Sequence, residues 1–161
     1  MAEPVALADF LSSSYNAELH RSGECRAALG VANVDSAGFS SVRYRVPLGF
    51  QVRELRGSRM RTLTALYDEF AAALQFPYYF RPNKDSFDEC LFSIDDSLGE
   101  AEGHVLAVRD ADQLLADEPK ERGWFASVVE ECADFWSSRE VAFRVILQRE
   151  PEGVTAVPIL L

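Results

Sequence analysis

The stretch "FPYYFRPNKDSFDECL", Phe76–Leu91, joins two apolar-periodic segments and decides how they connect. Pro77 stops the helical pattern that precedes it. Asn83 is of a type that caps a new helix, and the dipole at that end favours Asp85. Continued as a helix to Asp96, at about 100° per residue, the segment sorts into two sides. Phe87, Cys90, Leu91 and Ile94 share one, which can bury. Asp85, Asp88, Glu89, Phe92, Asp95 and Asp96 share the other, which faces outward. Asp85 and Glu89 are four residues apart, and such like-charged neighbours cost a helix about 0.2–0.5 kcal/mol. The helix dipole gives Asp95 and Asp96 no relief. Such a helix is mildly unfavourable to the isolated fold. The aromatics Tyr78, Tyr79 and Phe80 just ahead of it supply rigid contact area of the kind found in binding sites. A solvated face, a catalytic carboxylate pair and a binding face for a cationic partner are the three readings. The catalytic pair requires two groups across a cleft, and neighbours on one helix face do not supply that.

On the N-terminal side of this stretch, Phe50–Leu55 reads as a strand closed by Gly57. Leu63, Leu66, Tyr67, Phe70 and Leu74 follow at helical spacing, with Thr62 as N-cap. Beyond the acidic segment, His104–Asp110 is a short apolar strand. Asp117 is placed as the cap of a helix with Pro119 in its first turn and a stripe of Phe125, Val128, Val129, Cys132, Phe135 and Trp136. Val141–Gln148 is the last strand. Strands alternating with helices predict a small parallel sheet with helical crossovers, its inner strands covered on both sides. In residues 1–48, Ser12–Glu24 reads as a linker or weak helix. Val42–Val46 alternates as a strand, with Pro47–Gly49 as a hairpin turn. Residues 151–161 form a tail with an apolar end, either packed back or loose.

The chain has 161 residues, 48% hydrophobic, with net charge −10. The charge is uneven: residues 1–84 carry +2, residues 85–134 carry −12 and residues 135–161 balance. An acidic surface argues against nucleic acid as a partner, since phosphate binding needs a basic one. It fits a basic protein, or simply a solubilising surface. Cys25, Cys90 and Cys132 are odd in number and widely spaced, without a CxxC, and there are two histidines. A disulfide framework and a zinc site are not expected, and free thiols point to a reducing cytoplasm. No run is long enough for a membrane span, and the N-terminus lacks the pattern of a secretory signal. There is no nucleophile–base motif, metal cluster or Gly-rich phosphate loop, so neither an enzyme nor a cofactor is expected. His104, opening a strand, reads as structural.

The quoted stretch is similar to the signature of the barstar family, intracellular inhibitors of secreted microbial ribonucleases. Phe76, Pro77, Tyr79, Phe80, Asn83, Asp85, Glu89, Cys90 and Leu91 match it, and the likeness extends from about Phe50 to Gln148. The resemblance implies an α/β fold with a three-stranded parallel sheet flanked by helices, to which the N-terminal stretch offers an added strand. It implies an N-terminal extension over 1–48, a barstar-like domain over 49–150 and a tail over 151–161. It further implies a cytoplasmic inhibitor that plugs a basic guanyl-type ribonuclease in a 1:1 complex, the acidic helix and the loop before it standing in for substrate phosphate. The partner-binding residues it points to are Tyr79, Asn83, Asp85, Asp88, Glu89, Phe92 and Glu131, with Glu89 at the phosphate-mimicking position. The alternative is an immunity or interaction module for a different cationic toxin or protein. Arg81 replaces the family's usual glycine, Pro82 stiffens the loop and Lys84 replaces an apolar residue. Asp88 stands where a tryptophan is found in the best-known member. Arg81 and Lys84 are candidates to pair with Asp85 or Asp88, or to redirect partner choice.

Overall fold

The computed structural model describes residues 3–21 and 27–161, with only the backbone for His20 and Arg21. Cys25 and the end of the Ser12–Glu24 segment lie outside the described residues. In chain order the elements are β1 (Val5–Ala6), α1 (Leu7–Phe10), α2 (Ser13–Arg21), β2 (Leu29–Ala32), α3 (Ser36–Phe39), α4 (Val42–Arg45) and β3 (Phe50–Arg56). Then come α5 (Leu63–Ala73), α6 (Lys84–Phe92), α7 (Ile94–Leu98), β4 (Gly103–Arg109), α8 (Arg122–Ser137), β5 (Ala142–Gln148) and β6 (Val157–Leu160).

Among the described residues the sheet is parallel throughout and has six strands, in the order β1-β6-β2-β5-β4-β3. The expected three, β3, β4 and β5, form one side of it. The expected three-stranded sheet is therefore too small: β1 and β2 from the N-terminal stretch and β6 from the tail double it. The inner strands alternate between two cores, as residue period 2 requires. Leu106 and Val108 of β4, with Phe143, Val145 and Leu147 of β5, join α5, α6 and α8 in the larger core. Val105, Ala107 and Ile146 point the other way, into a smaller core with Leu7, Phe10, Tyr15, Phe39 and Val42. The N-terminal elements thus supply the covering layer on the second face, and the inner strands are shielded on both sides.

Several local expectations change. Val42–Val46 is not a strand, and Pro47–Gly49 does not turn a hairpin. The segment is the short helix α4, because Val42 and Val46 are also four apart. Val42 is buried and Tyr44, on the opposite side, is 80% exposed. Asp117 does not cap α8. Residues Pro119–Glu121 make a 3₁₀ turn first, α8 starts at Arg122, and Asp117 instead receives a hydrogen bond from Arg61 Nη2 at 2.9 Å. Thr62 and Asn83 do cap their helices, accepting from the N–H of Ala65 at 3.2 Å and of Ser86 at 2.8 Å.

His104 is 1% exposed and lies 6.2 Å from the Trp136 ring, with neither ring nitrogen hydrogen-bonded among the described residues. Burial pushes its imidazole below the usual value, Asp95 opposing this and Arg53 adding to it. The folded state therefore resists protonation, while the unfolded chain takes up a proton below about pH 6.5. His104 leaves stability unaffected above that pH and lowers it as pH falls below it, by at most about 1.4 kcal/mol per pH unit. His104→Leu is expected to flatten this decline, read from urea unfolding of both proteins between pH 7 and 5.

Candidate functional site

The acidic helix is shorter than expected. α6 ends at Phe92, Ser93 leaves the helical region at φ −110° and ψ 32°, and α7 begins at Ile94. Asp95 and Asp96 therefore do not continue the Asp85–Glu89 face. They sit in the first turn of a new helix, where the dipole tolerates carboxylates. Phe92 also departs from its expected place. It is half-buried, its ring 5.0 Å from Phe135 of α8, so it is not exposed among the carboxylates. Phe92 lies within α6, four residues after half-buried Asp88, on the flank of the helix that meets α8.

What remains outward is compact. α6 buries Phe87, Cys90 and Leu91 and leaves Asp85 and Glu89 exposed. Among the described residues neither carboxylate is in an ion pair. Tyr79, Arg81, Asn83, Lys84, Asp85 and Glu89 line one shallow depression of about 670 Å³. Tyr79 is 43% exposed and Tyr78 is 95% exposed, their rings 5.7 Å apart and edge-to-face. Loss of solvent raises the Tyr79 phenol above its usual range, and Cys90, Asp96 and Glu89 add to the rise, so this ring lies in the field of the acidic face.

The loop departures hold the helix rather than neutralise it. The Arg81 N–H donates to Ser86 Oγ at 2.9 Å, and its guanidinium donates to the carbonyls of Tyr78 at 3.3 Å and Phe80 at 3.1 Å. Its backbone is not left-handed, so no glycine is needed there. Lys84 lines the same depression and gives its ammonium to Glu121 at 2.6 Å, 5.2 Å from the Trp124 ring. Neither cation makes an ion pair with Asp85 or Asp88. Asn83 is exposed, with its Oδ1 committed to capping α6.

Asp88 and Glu131 form a second, separate grouping between α6 and α8. Glu131 is exposed and lines a different groove, with Ser127 and Glu130. Asp88 is half-buried and its Oδ1 is buried, without a hydrogen-bond partner among the described residues. Burial raises its carboxyl above the usual carboxylate range, the charges of Glu131 and then Asp85 raise it further, and Lys84 counters. The folded state therefore binds this proton more tightly than the unfolded chain. Stability falls as pH rises through the carboxylate range, and ionised Asp88 remains a cost at neutral pH. Asp88→Asn is expected to raise the melting temperature at pH 7 by about 1–3 °C, as several tenths of a kcal/mol do in a chain of this size. No gain is expected near pH 3, where Asp88 is already protonated, and thermal melts at both values check this.

The site residues read from sequence thus separate. Tyr79, Asn83, Asp85 and Glu89 are brought together, Asp88 and Glu131 stand beside them, and Phe92 is packed. Tyr78, more exposed than Tyr79, belongs to the same surface. Its place in the aromatic run was visible in sequence, but which of the two rings faces solvent was not. Cys90 and Cys132 are free and buried. No group of side chains suited to a metal ion occurs among the described residues, and no described helix is long and apolar enough to cross a membrane.

Comparison with curated proteins finds no match. A family model described as Barstar (barnase inhibitor) matches residues 50–148, from the first residue of β3 to the last of β5. That span holds α6, the loop before it and α8, and it covers more than half of the chain, which therefore belongs to the barstar family.

Proposed function

We propose that the chain is a stoichiometric inhibitor of a basic, guanyl-type microbial ribonuclease, acting in the cytoplasm of the cell that makes the enzyme for secretion. The observation that carries this is the exposed Asp85–Glu89 pair, without a cationic partner among the described residues, beside Tyr79 in one open depression. A ribonuclease cleft is lined with cations that hold phosphate. Carboxylates fixed on a helix satisfy the same donors through charge-assisted bonds and offer no phosphodiester to cleave. Repulsion within the free helix is relieved when those cations arrive, which makes the bound state the less strained one. Tyr79 and Tyr78 add aromatic area at low entropic cost. Titration of a basic guanyl-type ribonuclease is expected to end activity at one equivalent. Absence of inhibition at low salt with micromolar protein would overturn the reading.

One observation favours a second reading, in which the partner is a different cationic toxin or protein. Asp88 stands where the best-known member of the family has a tryptophan, and among the described residues its buried Oδ1 has no donor. A partner cleft shaped for an indole does not suit that position. Affinity capture from the culture filtrate of the producing cells separates the two readings by naming what binds.

A further inference from the structure

Residues 42–61 hold six arginines and a single carboxylate, Glu54, in a chain whose net charge is −10. They form α4, the edge strand β3 and the turn after it. Part of this charge is already engaged: Arg56 with Glu69 at 2.8 Å and Arg61 with Asp117 at 2.9 Å. Arg43 reaches Glu54 only at 3.6 Å, and Glu54 is bonded more closely by Arg109 at 3.1 Å. Arg45 is exposed and in no ion pair among the described residues. Between and beyond these two arginines, Tyr44 is 80% and Leu48 96% exposed. The knob is held in place. Gly49 is left-handed at φ +88°, a Cβ there would lie 2.6 Å from Glu102 Oε2, and the Phe50 N–H donates to the Pro47 carbonyl at 3.2 Å.

Five large apolar or aromatic side chains are exposed among the described residues: Tyr44, Leu48, Tyr78, Tyr79 and Leu160. Four of the five lie on two surfaces of opposite charge, the α4 knob and the acidic α6 face. α4 packs through Val42 on the smaller core and α6 through Phe87 and Leu91 on the larger one. The two surfaces therefore lie on opposite faces of the sheet, and one molecule cannot bring its own together. Arginines flanking an apolar contact match carboxylates flanking two tyrosines, through bidentate pairs and cation–π stacking.

We propose that Arg43, Tyr44, Arg45 and Leu48 form a docking knob for the acidic α6 face of a second copy of this chain, so that self-association masks the partner-binding surface of the free protein. This rests on the reading of α6 as a cation-binding face. At about 0.15 M salt the Debye length is about 8 Å, so net repulsion between distant charges is screened while the contacting patches are not.

Sedimentation equilibrium of the full chain tests it. Reversible association is expected at high micromolar concentration in 0.15 M NaCl and is lost in 1 M NaCl. The double variant Arg43→Glu, Arg45→Glu and the single variant Glu89→Lys are each expected to weaken self-association at least tenfold. Mixed together they are expected to form a 1:1 pair, because one retains the acidic face and the other the knob. A wild type monomeric at all concentrations overturns the proposal, as does association that requires added RNA or anionic vesicles, or variants that associate unchanged. The ribonuclease titration keeps the two readings apart. The Arg43→Glu, Arg45→Glu protein is expected to inhibit fully, so inhibition by a strictly monomeric wild type rejects the self-association and leaves the inhibitor reading intact.

Discussion

Replacing Glu89 with alanine is expected to weaken ribonuclease binding by at least about 2 kcal/mol, a loss of thirtyfold or more. The figure is that of interface hot spots, a class in which a complex of this family is included, and it is carried over on that basis. Glu89 is exposed, lines the open depression with Asp85 and Tyr79, and has no ion pair among the described residues. Alanine favours a helix and removes the Asp85–Glu89 repulsion, so folding stability is expected to stay within about 0.5 kcal/mol of the original. Calorimetric titration together with urea unfolding reads both quantities. A variant that unfolds while its affinity is retained would mean that α6 presents the wrong face.

Deleting residues 1–48 is expected to abolish cooperative folding of the remainder. This is the largest effect anticipated, although the family match begins only at residue 50. β2 lies between β5 and β6, with all four residues buried, and the Val145 N–H donates to the Ala28 carbonyl at 3.1 Å. Its loss opens an edge along the apolar strand β5. The same segment covers Arg144, which is fully buried at the centre of β5. Its guanidinium donates to the Phe10 carbonyl at 3.0 Å, to the Phe143 carbonyl at 2.9 Å and to Asn16 Oδ1 at 3.3 Å. The rings of Phe10 and Tyr15 flank it at 5.6 and 5.1 Å. Burial lowers this guanidinium to about 10, a measure of how far it is withdrawn from water. Deletion removes two of these three acceptors and both rings, and it opens the apolar face of Val105, Ala107 and Ile146 to water. Phe10→Ala alone is expected to cost about 3–5 kcal/mol, against a total stability of about 5–15 kcal/mol for a typical domain. Circular dichroism melts of residues 49–161 and of Phe10→Ala check both. A cooperative melt of the shortened chain would show the N-terminal layer to be dispensable.

The sequence was most legible where several local signals agreed. Asn83 as cap, Pro77 as stop and the apolar triad Phe87, Cys90 and Leu91 set the place and outward face of α6. Thr62 and the Leu63–Leu74 spacing did the same for α5. Legibility failed where meaning depends on distant neighbours. Leu29–Ala32 is four residues with a glycine, a weak strand by itself, and it becomes one because β5 and β6 flank it. The tail was left as packed back or loose, and Pro158, which has no N–H for a ladder, pairs opposite Val31. Arg144 sat inside an apolar run, and nothing local announced the carbonyls and rings that would receive it. The α4 error arose because five residues fit both periods. The Phe92 error arose because a two-sided wheel overlooks the flank that Asp88 and Phe92, four residues apart, turn toward α8; the break at Ser93 displaces only Asp95 and Asp96.

On the function proposed above, Asp85 and Glu89 present phosphate-like charge to a cationic cleft. Stopped-flow association with a basic guanyl-type ribonuclease across ionic strength tests it most directly, comparing the native chain with Asp85→Asn, Glu89→Gln. The association rate of the native protein is predicted to fall steeply with added salt, from a low-salt enhancement of about 10–1000-fold. The doubly neutral variant is predicted to start lower and depend less on salt. An association rate indifferent both to salt and to the loss of these two charges would contradict the account.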